Sequence, residues 1–129
     1  MPSKVYKDYK IYCCFALNRL VGELNIDLYQ DGLEEKIDGV LENSEAFLTK
    51  EDIKHEIRSN HYMTNKVIEK LAEDGFIEVT KEGKIYKIKI TKKGVLHVRM
   101  YNRFYKQIYD EQIREHYRYR GLPHWFLKG

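Results

Sequence analysis

Five histidines, two cysteines and three serines are the side chains of this 129-residue chain most suited to bond-making chemistry or metal ligation. His55, His61, His97, His116 and His124 are scattered, without an HExxH spacing or a neighbouring cysteine, so they do not read as a zinc set. Ser3, Ser44 and Ser59 lie outside any GxSxG elbow, and no GxxxxGK[ST] loop is present to cradle a phosphate. Cys13 and Cys14 are adjacent in sequence, which disfavours a disulfide between them. They read as small buried side chains of a reducing compartment, or one of them as a link to a second subunit. The expectation is no enzyme, no catalytic residue, no metal, no cofactor and no evident small-molecule ligand.

What remains is the chemistry of charge. The formal net charge is only +3. Residues 1–22 carry +3, residues 23–56 carry −8 and residues 57–129 carry +8. An acidic front and a basic back point toward nucleic acid. The densest base runs from Lys81 to Lys93, where Lys81, Lys84, Lys87, Lys89, Lys92 and Lys93 face a single acid, Glu82. Lysines in such a run release counterions when they neutralise phosphates, although lysines also guard exposed strands against edge pairing.

These residues need elements to position them. Val5, Tyr9, Tyr12, Cys13, Ala16, Leu17, Leu20, Val21 and Leu24 recur at spacings of three and four, which predicts a helix over 4–24. Leu33, Ile37, Val40 and Leu41 predict a second. Thr49 and Asp52 form a capping-box signal before a short helix from Lys50 to about Arg58. Asn60 caps a helix over 61–74, and Gly75 stops it. The period then drops to two. Phe76–Lys81 and Lys84–Thr91 predict a hairpin over 76–91 with Glu82–Gly83 at its turn. Tyr86, Ile88 and Ile90 fall on one face of its second strand, Lys87 and Lys89 on the other. Thr91 caps a long helix over 92–120, and the apolar tail Leu122–Leu127 must dock on its own domain or on a partner.

The fold class that follows is α+β, mostly helical, in one domain spanning 1–129. From Leu33 to Val98 the order of elements, with Ile68, Leu71, Gly75, Phe76 and Ile77 in an I-x-x-L-x-x-x-G-F-I pattern and Ile90-Thr91-Lys92-Lys93-Gly94 after the hairpin, resembles the winged helix-turn-helix. It is similar to the small MarR and PadR transcription regulators. The resemblance implies a winged-helix core over 33–98, preceded by an extra N-terminal helix and followed by a long C-terminal one. It also implies a recognition helix over 61–74 that enters the major groove while the wing meets the backbone.

With Met63, Thr64, Val67, Ile68 and Leu71 turned inward, Tyr62, Asn65, Lys66, Glu69 and Lys70 face out. Asn65 suits adenine, Lys66 guanine, and Tyr62 a thymine methyl or a phosphate. The DNA-binding candidates are Tyr62, Asn65, Lys66, Lys70, Lys81, Lys84, Lys87 and Lys89. Regulators of this kind pair through flanking helices, which implies a homodimer with Tyr9, Cys13, Leu17, Tyr101, Tyr105 and Ile108 at its interface. The expected function is sequence-specific double-stranded DNA binding in a homodimeric transcription regulator. The alternatives are a protein-interaction adaptor, favoured by Glu69 and Glu73, and an RNA-binding protein.

The longest uncharged stretch, Ile11–Asn18, is far short of the roughly 20 residues that span a bilayer, so no membrane contact is expected. The cytoplasm is the expected location. Richness in Lys, Glu, Ile and Tyr is similar to proteins of thermophilic archaea and their viruses, and a viral origin would place the chain in the host cytoplasm.

Overall fold

The structure, a computed structural model, describes residues 9–128. Among the described residues seven helices and one hairpin follow in the order α1 (Tyr9–Gly22), α2 (Leu33–Asn43), α3 (Lys50–Ile57), α4 (His61–Glu73), β1 (Ile77–Glu82), β2 (Ile85–Ile90), α5 (Lys92–Ile108), α6 (Asp110–His116) and α7 (His124–Lys128). This is an α+β winged helix, helical for the most part. Residues 4–8 of the helix expected over 4–24 lie outside the described residues.

Local chemistry sets most boundaries. The Asp52 amide donates to Thr49 Oγ1 at 3.1 Å and the Thr49 amide to Asp52 Oδ2 at 2.9 Å, a reciprocal box at the start of α3. Asn60 Oδ1 accepts from the Met63 amide at 2.8 Å and opens α4. Gly75, at φ 79°, ends the turn after α4 in the left-handed region open to glycine. In the hairpin Glu82 pairs with Ile85, so the two-residue turn is Gly83–Lys84 rather than Glu82–Gly83. Gly83 supplies the positive φ that a tight hairpin turn requires at its first central position. A third, one-residue strand completes the sheet: Leu48 and Ile88 exchange backbone hydrogen bonds of 2.9 and 2.8 Å.

The expectation of one helix over 92–120 is corrected. The long C-terminal helix breaks at Tyr109, which adopts φ −112° and ψ 25° between α5 and α6. The break lets α6 fold back, so that His116 stacks on Phe15 at 4.0 Å and Tyr117 Oη donates to Glu56 Oε2 at 2.6 Å. Helix α1, the expected extra N-terminal helix, is built into the core. Ile11, Cys14, Phe15, Ala16, Leu17, Leu20 and Val21 are all buried, and the helix packs on α3, α4, α5 and β2. It supports the helix-turn-helix from beneath, while α2 packs mainly on α5. The tail docks at home: Phe126 is buried, with Lys106 and Arg114 beside its ring.

Between α1 and α5 lies a polar lock. Asn18 and Asn102 exchange amide hydrogen bonds of 2.9 Å, and Asn102 Nδ2 also donates to the Tyr29 hydroxyl at 3.0 Å. Burial raises the Tyr29 phenol above its ordinary pKa, so it stays protonated. Such a satisfied pair fixes the register of two helices, and removing one member strands the other. Asn102→Leu is expected to cost about 2 kcal/mol in urea unfolding, and adding Asn18→Leu to recover part of that loss.

Candidate nucleic-acid interface

Helix α4 is amphipathic as the spacing predicts. Thr64, Val67, Ile68 and Leu71 are buried and Met63 is half-buried, which fixes the opposite face outward. Tyr62, Asn65, Lys66, Glu69 and Lys70 are exposed, Tyr62 to 75%. Two contacts hold the helix from its N-terminal side. Thr64 Oγ1 donates to the Asn60 carbonyl at 2.8 Å, and Tyr9 Oη donates to the Lys66 carbonyl at 3.2 Å. The same Tyr9 ring lies 5.3 Å from Lys66 Nζ, so α1 positions the lysine as well as the backbone beneath it.

The lysines differ in how free their charge is. Lys70 is paired with Asp74 at 3.3 Å, and Lys87, half-buried, is paired with Glu82 and lies over the Phe47 ring. Lys89 stands opposite Glu78 in the ladder. Lys66, Lys81 and Lys84 have no carboxylate partner among the described residues, and neither does Lys50, which sequence reasoning passed over. Lys50 Nζ lies 4.2 Å and Lys81 Nζ 5.5 Å from the centre of the Tyr86 ring. Tyr86 thereby ties the wing to the first turn of α3. No periodicity marks Lys50; its position one residue after the Thr49 cap was the available signal.

Lys87 holds the Glu82 carboxyl below its ordinary pKa, so the pair stays ionised at neutral pH. An anion that binds at Lys87 therefore has to displace Glu82. Glu82→Gln is expected to tighten duplex binding severalfold and to steepen the slope of log K against log salt by about 0.9, the contribution of one more phosphate contact. Anisotropy titrations of the variant beside the parent measure both.

The residues expected at a dimer interface divide. Leu17 is fully buried in the chain's own core and has no surface to offer, a correction that follows from α1 being packed on several sides. Tyr9 and Cys13 are half-buried, and Tyr9 is engaged with Lys66. Tyr105 is half-buried with its hydroxyl 3.0 Å from His97 Nε2. His97 is stacked on Phe76 at 4.3 Å, and burial holds its pKa below the ordinary histidine range. Tyr101 and Ile108 are exposed, together with Met100 and Phe104, in one stripe along α5.

A family model described as the DUF6293 C-terminal winged helix domain matches residues 26–102, more than half of the chain. The chain belongs to this winged-helix family. The match takes in the helix-turn-helix, the wing and most of α5, and leaves α1, α6 and α7 of this winged-helix protein outside. The likeness to MarR and PadR regulators rests on the motif residues alone. No curated protein and no solved structure matches the chain. Among the described residues no helix is long and apolar enough to cross a membrane, and no cluster of His, Cys, Asp and Glu could hold a metal.

Proposed function

We propose that this winged-helix protein binds double-stranded DNA sequence-specifically, as a homodimeric, non-enzymatic transcription regulator. The observation that carries the reading is the exposed row Tyr62, Asn65 and Lys66 on an α4 whose other face is fully committed to the core. A helix so held presents its N-terminal turns to base edges, while Lys50, Lys81 and Lys84 meet phosphates alongside. Selection from a random duplex pool tests it. The parent enriches a defined site, and Asn65→Ala shifts the preferred base at one position in each half-site. Enrichment of no site by the parent contradicts sequence-specific binding.

The homodimer rests on the α5 stripe, since Met100, Tyr101, Phe104 and Ile108 together leave an apolar face open to solvent. Light scattering is expected to give twice the chain mass, and Phe104→Glu the single-chain mass. A second reading, a protein-interaction adaptor, is favoured by Glu69 and Glu73, which are exposed on the C-terminal half of α4. Under that reading Lys66→Ala and Lys84→Ala leave function in cells intact.

A further inference from the structure

The tip of the wing carries an exposed apolar residue beside lysines. Ile85 is the first residue after the Gly83–Lys84 turn and is 52% exposed. It belongs to the outer face of β2, with Lys87 and Lys89, whereas Ile88 and Ile90 on the inner face are buried. The tip is anchored at its base. Leu48 bonds to Ile88 on one side of β2, and the Tyr86 ring lies against Lys50 and Lys81. Lys84, the immediate neighbour of Ile85, has no carboxylate partner among the described residues. The one acid at the tip, Glu82, is neutralised by Lys87.

We propose that Ile85 is a wedge that enters the minor groove of duplex DNA and bends it. The inference rests on the DNA-binding reading above. An apolar side chain next to the unpaired Lys84, with the Glu82 carboxylate opposite it held by Lys87, fits a partner with an apolar slot between two rows of anions. The minor groove offers this arrangement, with phosphates along both walls and stacked bases at the floor. Isoleucine inserted at a base step partly unstacks it and kinks the duplex toward the major groove. The cost is least at a flexible pyrimidine–purine step, so the wing adds a preference for such a step at a position that α4 does not touch. An acidic groove on a protein partner is the competing occupant, and the test separates the two.

End-to-end energy transfer in a short labelled duplex reads the bend, with anisotropy reading affinity on the same DNA. The parent is expected to shorten the end-to-end distance, and to bind a duplex with a central TA step about tenfold more tightly than one with an A-tract there. Ile85→Ser is expected to abolish the shortening and the step preference and to leave the salt slope unchanged, because the lysines remain. Its thermal unfolding should match the parent's, since Ile85 lies outside the core. Ile85→Phe, a larger wedge, should retain the bend. Duplex bound without bending, or an Ile85→Ser variant that bends and discriminates as the parent does, overturns the wedge and leaves the DNA-binding reading standing. A parent that binds no duplex at low salt overturns both.

Discussion

A chain that begins at Asn25, and so keeps all of the matched winged-helix segment while lacking α1, is expected to lose its cooperative thermal transition. Ile11, Phe15, Leu17, Leu20 and Val21 are each at most 6% exposed. Burying a side chain of this size is worth about 1.5–3 kcal/mol, so the five together contribute on the order of 10 kcal/mol. The whole stability of such a domain is roughly 5–15 kcal/mol. Removal also uncovers the underside of α3 and α4, strands Asn102 without its Asn18 partner and takes away the Tyr9 support at Lys66. Calorimetry of the shortened chain checks this. A transition near the parent's temperature would mean that α2 can do alone what the packing assigns to α1.

Gly94→Ala, in the first turn of α5, should be strongly destabilising. A Cβ at Gly94 would sit 2.3 Å from the Phe76 carbonyl oxygen and 2.7 Å from Ile90 Cγ1. The carbonyl cannot retreat freely, because it accepts the Thr91 amide at 3.0 Å. Around it, Thr91 Oγ1 donates to the Gly75 carbonyl at 2.6 Å and accepts from the Gly94 amide at 3.1 Å, and Lys93 Nζ donates to the Asp74 carbonyl at 2.8 Å. The end of α4, the start of the wing and the start of α5 are therefore one junction. Forcing it apart should cost about 3 kcal/mol and lower the melting temperature by about 10 °C. An unchanged melting temperature would show that α5 can shift away from Phe76 at little cost. Gly39→Ala, with nothing within 4 Å of the added atom, is the control.

That junction shows what was legible in the sequence. The G-F-I and T-K-K-G patterns are separate in the chain, and each follows from one spatial demand, the close approach of α5 to the Phe76 backbone. Caps at Thr49, Asn60 and Thr91 and the switch of period after Gly75 mark the elements because each acts through near neighbours. The inward face of α4 follows from the same periodicity. The burial of α1 on several sides was written less plainly, although the unbroken run Tyr12–Leu17 is apolar beyond the needs of a one-sided stripe. The break at Tyr109 has no glycine or proline to announce it, since it depends on where α6 finds Phe15 and Glu56. Which lysines are free was hidden for a similar reason. Glu82 and Lys87 sit on opposite strands, and their pairing exists only once the register is set.

The central claim, that α4 and the wing form a surface for duplex DNA, is tested most directly by an anisotropy titration of labelled duplex at several salt concentrations. Lys50, Lys66, Lys81 and Lys84 have no carboxylate partner among the described residues. Binding is therefore expected whose log K falls linearly with log salt at a slope of about −4 per protomer, and a slope shallower by about 2 in the Lys66→Ala, Lys84→Ala variant. No binding at the lowest salt, or binding whose salt dependence the two substitutions leave unchanged, would contradict it.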